Sequence, residues 1–167
     1  GSGSMAAILG LDDSRVIEMC LKASDKGVVE AVNFNSPGQV VIAGEKDAVA
    51  HACELMKEAG AKRALVLPVS VPSHCSLMQD ASKEFKYSVD SINFQMGNIK
   101  VLHNVDADYS SNIDEMKLKL VEQLHKPVLW TSTVQKMKGS GVEKLIEAGP
   151  GKVLAGLTRR IDKSLSG

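Results

Sequence analysis

The sequence PVSVPSHC at residues 68–75 divides the chain into two parts with different patterns. An apolar, strand-like run ends there against Pro72, and His74 and Cys75 follow at its exit. Apolar residues then recur at helical spacing over residues 76–89, which predicts an amphipathic helix. A catalytic histidine is often held on such a short turn between two rigid elements. His74 is therefore the first candidate for chemistry.

The residues upstream of this stretch predict strands and helices in the order β-α-β-β-α-β. The predicted strands are residues 5–9, 28–34, 39–43 and 64–67, with helices that end at Gly27 and Gly60. The turn signal at residues 36–38 predicts a hairpin between the second and third strands. This order is typical of a ferredoxin-like unit, in which two helices cover one face of a four-stranded sheet. We predict such a subdomain over residues 1–70.

The downstream residues, 71–167, predict an α/β arrangement that is short of strands. The predicted strands are residues 100–105 and 142–148, and the predicted helices are residues 76–89, 113–124, 127–139 and a last one from 153. Pro127 is expected in the first turn of its helix. Two strands are too few for an independent parallel sheet. We expect this part to belong to a larger α/β core, with apolar surface exposed where further strands would lie.

Composition narrows the possible functions. The 20 basic residues balance the 20 acidic ones, and only six aromatic residues occur (three Phe, two Tyr, one Trp). These totals argue against nucleic acid and against an anionic membrane surface as partners. The three widely spaced cysteines are typical of reduced thiols in a cytoplasmic protein, and no signal peptide or membrane-spanning run is expected. Residues 1–4, GSGS, fit either an expression linker or a native glycine-rich turn.

Few residues have the surroundings that chemistry requires. His74 could transfer a proton at neutral pH, or it could be a capping or core histidine. A Cys75–His74 nucleophile pair is less favoured, because adjacent side chains usually point apart. Gln123 is a polar amide within an apolar helical stripe, and either it or its carbonyl could orient a histidine, or it could simply lie at the edge of the stripe. Asn35 and Gln39 lie near the hairpin turn, where they could belong to a site or could make local backbone hydrogen bonds.

Other motifs are absent or weak. Residues 149–152, GPGK, lack the earlier glycine and the following Ser or Thr of a phosphate-binding loop, so a strand-to-helix turn is expected. His51, His103 and His125 show no metal-ligand spacing. No Gly-x-Ser-x-Gly segment follows a strand, and a serine acyltransferase of α/β type needs one to expose its nucleophile.

The chain nevertheless resembles a known family throughout its length. Its segments MAAILGLDD (5–13), VNFNSPGQVVIAG (32–44), VSVPSHC (69–75) and GPGKVL (149–154) occur in order at the family's spacing. They are similar to the C-terminal half or more of bacterial malonyl-CoA:acyl-carrier-protein transacylases. The resemblance also favours a native origin for residues 2–5.

The resemblance implies an α/β-hydrolase-like core with an inserted ferredoxin-like subdomain and an active site in the cleft between them. It implies that His74 is the catalytic base and that Gln123 orients it, often through the backbone carbonyl in this family. Asn35, Gln39 and Met5 match positions that line the cleft. Malonyl-CoA would be a substrate and acyl carrier protein the partner, with no cofactor and no metal.

Three features of the family pattern are missing from this sequence. The nucleophilic serine, the arginine that pairs with the malonyl carboxylate and the Gly-Gln oxyanion segment belong upstream of this sequence in the family. None of the four arginines, at 15, 63, 159 and 160, matches the family's arginine. We therefore expect an N-terminal half to complete the core, and no transfer activity from the 167 residues alone. The alternative function is a standalone ferredoxin-like binding module without catalysis.

Overall fold

In the computed structural model, which describes residues 3–165, one four-stranded antiparallel sheet carries the upstream part of the chain. Its strands are β1 (Gly3–Leu9), β2 (Val29–Ser36), β3 (Gln39–Glu45) and β4 (Arg63–Val66), in the spatial order β2-β3-β1-β4. Helix α1 (Asp13–Ala23) follows β1, and helix α2 (Lys46–Glu58) follows β3. The element order agrees with the predicted one, and β2 and β3 form the predicted hairpin.

The main core lies between one face of this sheet and the two helices. Because side chains alternate along a strand, Ala6 and Ile8 of β1 face the helices while Met5 faces the other way. Val16 of α1 and Met56 of α2 are fully buried against them. The helical spacing of apolar residues therefore matches the face that the helices bury.

A smaller cluster on the opposite face joins the sheet to residues 68–75. Met5, Val41 and Ala43 pack there with Cys75, and Leu67 lies against them. At the start of β1, a Cβ on Gly3 would lie 2.3 Å from Cδ of Pro72, so only glycine permits this close approach. Gly3 and Ser4 are thus part of β1, whereas Gly1 and Ser2 lie outside the described residues.

Helices dominate the downstream part. A 3₁₀ turn (Ser76–Met78) leads into α3 (Gln79–Ser91), and the later helices are α4 (Ile113–Glu122), α5 (Trp130–Gly139) and α6 (Val153–Ile161). Two short strands, β5 (Leu102–His103) and β6 (Asp108–Tyr109), pair with each other.

Three predictions for this part were wrong. The strand expected over residues 100–105 is reduced to β5, which pairs with β6. Residues 142–148 form no strand beyond a single bridge position at Lys144, and Ile146 is 81% exposed. Pro127 precedes α5 instead of lying in it. The reason is that Val128 pairs with the edge of β2, accepting from the Phe34 N–H at 2.9 Å and donating to the Val32 carbonyl at 2.8 Å.

Apolar side chains remain exposed on the downstream part, as expected. Ile99 is 85% exposed, Val153 69% and Val101 54%, and Val66 at the edge strand β4 is 62% exposed. Exposed large apolar side chains of this kind are typical of a face that another segment covers. None of the helices within residues 3–165 is long and apolar enough to cross a lipid bilayer.

Candidate catalytic histidine site

His74 lies in a strained turn between β4 and the 3₁₀ turn that begins at Ser76. Its φ of 67° is in the left-handed region, which costs a non-glycine residue on the order of 1–2 kcal/mol. Its backbone N–H donates to the carbonyl of Leu124 at 3.0 Å, just beyond α4. Strain of this kind persists only where surrounding contacts fix the backbone, and it often marks functional residues.

The imidazole of His74 is oriented by a backbone carbonyl. Its Nδ1 lies 2.6 Å from the oxygen of Gln123. Because a carbonyl can only accept, Nδ1 carries the hydrogen and Nε2 presents its lone pair. A half-buried histidine held in this tautomer can accept a proton at Nε2.

Gln123 occupies the C-terminal cap of α4, which explains why its carbonyl is available. The last carbonyls of a helix lack a partner within the helix, while the Gln123 N–H still donates to the Lys119 carbonyl at 3.1 Å. The sequence drew attention to the amide side chain in an apolar stripe. The contact with His74 is made instead by the main chain, the other alternative that the pattern left open.

A buried lysine fixes α4 to the β5–β6 hairpin. The ammonium of Lys119 contacts Asp106 and Glu115, each at 2.9 Å, and donates to the Tyr109 carbonyl at 2.7 Å. Burial lowers the pKa of Lys119, but the two carboxylates more than offset this effect and leave the pKa above its ordinary value. The end of α4 that meets His74 is therefore well anchored.

The thiol of Cys75 is badly placed for nucleophilic attack. The residue is fully buried in the cluster under the sheet, and its Sγ donates to the Pro72 carbonyl at 3.1 Å. Burial raises the pKa of this thiol, which disfavours the reactive thiolate. The Cys75–His74 nucleophile pair is accordingly not supported.

Sequence reasoning missed one residue at this turn. Glu30 of β2 accepts from the Ser76 N–H at 3.1 Å through Oε2, and from the Ser76 hydroxyl through Oε1. The partners are 46 residues apart, and no local pattern indicates the contact. The one sequence signal that could have suggested it is the presence of a glutamate, Glu30, within the predicted strand 28–34.

The other predicted site residues lie in two places. Met5 is buried beside Cys75, directly under the His74 turn. Gln39 begins β3, four register positions from Ala43, the partner of Met5, or roughly 13 Å along the strand. Its Oε1 accepts from Nη1 of Arg160 at 2.5 Å. Asn35 lies near Gln39, at a register irregularity of β2.

The remaining candidates have structural contacts. His103 contacts Ser110 at 2.9 Å, and His125 contacts Ser82 at 3.0 Å. Among residues 3–165, no three His, Cys, Asp or Glu side chains are grouped so as to hold a metal ion. At the turn before α6, the Glu147 carboxylate accepts the N–H groups of Leu154 and Ala155, at 3.2 and 3.0 Å. A carboxylate already occupies the position that a phosphate would take there.

Curated proteins that are similar to this chain carry the same name. The chain is 52% identical over 166 residues to the malonyl CoA-acyl carrier protein transacylase of Escherichia coli K12, which covers 99% of the chain and 54% of the relative. It is 54% identical over 161 residues to that of Haemophilus influenzae, covering 96% and 52%. The chain thus spans about half the length of these curated relatives. No family model matches it.

Solved structures agree closely with the fold. The acyl-carrier-protein S-malonyltransferase of Burkholderia pseudomallei superposes with a TM-score of 0.98 at 51% identity, covering 100% of the chain and 54% of that structure. A malonyl-transacylase in complex with its type II polyketide synthase acyl carrier protein gives a TM-score of 0.97 at 47% identity, covering 99% and 54%. The chain is therefore homologous to the C-terminal portion of malonyl-CoA:acyl-carrier-protein transacylases.

Proposed function

We propose that this chain is the histidine-bearing portion of an enzyme that moves a malonyl group from coenzyme A to the phosphopantetheine thiol of acyl carrier protein, in fatty-acid biosynthesis. The observation that carries the proposal is the 2.6 Å contact between His74 Nδ1 and the Gln123 carbonyl. It leaves Nε2 available as a base, in a chain 52% identical to a named transacylase.

In the proposed mechanism, His74 acts twice. Its Nε2 takes the proton of a serine hydroxyl while the serine oxygen attacks the malonyl thioester, and it returns that proton to the departing coenzyme A thiolate. Nε2 next takes the proton of the carrier thiol, whose sulfur attacks the serine ester. The proton finally returns to the serine oxygen as the malonyl thioester of the carrier forms. The carbonyl of Gln123 stabilises the imidazolium at each stage.

The two parts of the chain have separate roles in this proposal. Residues 1–70 would be a ferredoxin-like subdomain, supported by the sheet order β2-β3-β1-β4 with both helices on one face. Residues 71–167 would be the C-terminal part of an α/β-hydrolase-like core. The N-terminal half, with the serine and the carboxylate-binding arginine, would cover the exposed side chains of Ile99, Val101 and Val153. The enzyme would act in the cytoplasm without a cofactor.

The proposed substrate contacts lie at two separate places along the sheet. Met5 lies under the His74 turn and would line the cleft near the reacting thioester. Asn35 and Gln39, roughly 13 Å along the strands, would meet a more distant part of the substrate. Acyl carrier protein is proposed as the partner because a similar malonyl-transacylase was solved in complex with one.

The experiment uses the full-length protein that contains this chain. Incubation with malonyl-CoA should add a malonyl group to a serine, detected by mass spectrometry of its peptides. His74→Ala should reduce transfer to acyl carrier protein by roughly 10²–10⁴-fold, the usual cost of losing a general base. His51→Ala on α2, far from the turn in sequence, is the matched control and should transfer normally.

Three results would contradict the proposal. Normal transfer by His74→Ala would show that His74 is not the base. It would leave this chain only the role of a binding module, an alternative that the names of the relatives do not favour. A malonyl group on Cys75 would indicate a thiol mechanism. Transfer catalysed by the 167 residues alone would show that no further half is needed.

A further inference from the structure

We propose that Glu30 is a positioning residue for His74, acting through Ser76; this inference rests on the proposed function of His74 as a base. Glu30 lies in β2, and its carboxylate reaches the first residue of the 3₁₀ turn that follows His74. Both carboxylate oxygens are used, one by the Ser76 N–H at 3.1 Å and the other by the Ser76 hydroxyl.

The contact replaces a cap that the turn lacks. The first N–H groups of a helical segment have no partner within it, and the side chain of Cys75, the capping residue, makes no capping hydrogen bond. Glu30 supplies that acceptor from a different element. Hydrogen bonds to an ionised carboxylate are roughly twice as strong as those between neutral groups, so this cap is stronger than a serine or asparagine cap would be.

The carboxylate has no competing partner. Among the described residues, no lysine, arginine or histidine lies within ion-pair distance of Glu30 (the ion pairs of residues 3–165 involve other carboxylates). A half-buried carboxylate needs hydrogen-bond donors, and Ser76 provides two, its N–H and its hydroxyl. Within residues 3–165, the side-chain hydrogen bonds of Glu30 are therefore directed at the turn.

The location of the cap connects it to catalysis. His74 has a left-handed backbone, and within residues 3–165 its hydrogen bonds, to Gln123 and Leu124, come from the end of α4. Two residues later, Glu30 fixes Ser76 to the sheet. The turn is thus held from both parts of the chain, and releasing one side lets the imidazole shift relative to a substrate bound by the other. A misplacement of about 1 Å at a reacting group can cost on the order of 10²-fold in rate.

The experiment compares Glu30→Ala, Glu30→Gln and Glu58→Ala in the full-length protein. Glu58 ends α2, is exposed, and serves as the control for loss of a carboxylate. We expect Glu30→Ala to lower kcat roughly tenfold, which is less than the roughly 10²-fold cost of a full 1 Å misplacement. KM for malonyl-CoA should stay within about twofold of the wild-type value. Glu30→Gln should recover most of kcat, because its amide can accept from the Ser76 N–H and donate to the hydroxyl. The double variant Glu30→Ala/Ser76→Ala should be no slower than Glu30→Ala alone.

A second measurement does not depend on activity. In protein with ¹⁵N-labelled histidine, the Nδ1–H proton of His74 should give a downfield signal protected by its bond to the Gln123 carbonyl. We expect this signal to exchange faster in Glu30→Ala and to be unchanged in Glu58→Ala.

The outcomes separate the two proposals. A wild-type protein without transfer activity would refute the proposed function, while the protection of the Nδ1–H signal would still test the role of Glu30. Unchanged kcat and unchanged protection in Glu30→Ala would overturn the positioning role. A loss of kcat that follows only the fraction of unfolded protein, measured by thermal unfolding at the assay temperature, would overturn it as well.

Discussion

The contact between His74 and Gln123 yields a sharp prediction, because it involves the main chain of residue 123 and not its side chain. Gln123→Ala removes the amide but keeps the carbonyl 2.6 Å from Nδ1. A neutral hydrogen bond contributes about 0.5–1.5 kcal/mol, so loss of a side-chain contact would slow the reaction roughly two- to tenfold. We expect instead that kcat of the full-length Gln123→Ala protein stays within about twofold of wild type, because the orienting acceptor is still present.

Gln123→Pro is the matched opposite. Residue 123 donates its N–H to the Lys119 carbonyl, and a proline there removes that bond and clashes with the same oxygen, at a cost of about 3 kcal/mol. The displaced carbonyl should release the imidazole, so kcat should fall far more than in Gln123→Ala. Steady-state transfer assays with urea unfolding of each variant distinguish the two cases. A tenfold or greater loss in a fully folded Gln123→Ala protein would refute the reasoning and assign the role to the side chain.

The remaining predictions concern stability. Hydrogen bonds from Ser111 and then from the Lys119 ammonium lower the pKa of Glu115 from 4.5 to about 2. Because the pKa in the folded protein is the lower one, ionised Glu115 stabilises the fold fully above about pH 5, and this stabilisation is lost as the pH falls from 4.5 towards 2. Urea unfolding across this range should show wild type and Glu115→Gln converging near pH 2, and a gap that persists there would contradict this. Gly3→Ala should destabilise the protein by about 1–3 kcal/mol through overpacking against Pro72, whose Cδ lies 2.3 Å from the added Cβ. Adding Pro72→Ala should recover part of the loss in thermal unfolding; an additive double variant would count against the clash.

The upstream part was predictable because its signals are local. Each strand or helix there is bounded by its own turn or cap, such as residues 36–38 before β3 and Gly60 after α2. Amphipathic spacing then decides which face is buried. The structure moves the predicted boundaries by at most a few residues, because each boundary has its own local signal.

The downstream strands were not predictable for the complementary reason. A strand exists only where another strand accepts and donates its backbone hydrogen bonds. Residues 142–148 have a strand-like sequence but pair only at the single bridge position Lys144, so the rest of the segment stays irregular with Ile146 exposed. Val128 shows the reverse, since it meets the free edge of β2 and pairs with Asn33 although its sequence suggested a helix.

The same distinction applies to the candidate site. His74 could be selected from its position after an apolar run, but its partners act through groups that residue type does not reveal. One is a main-chain carbonyl at the end of α4, and the other is the carboxylate of Glu30, distant in sequence. Both partners are defined only when the sheet and α4 are brought against the turn.

Three sets of contacts meet on three consecutive residues of this turn, two from the sheet and one from α4. Cys75 is buried under the sheet, Ser76 is bonded to Glu30, and His74 is bonded to the end of α4. A strained left-handed residue is stable only if its neighbours are fixed more firmly than it is. Here the residues on its C-terminal side are fixed to the sheet and the histidine itself to α4. The orientation of Nε2 therefore depends on the relative position of the two parts of the chain, so a displacement of either part should be detected first at His74.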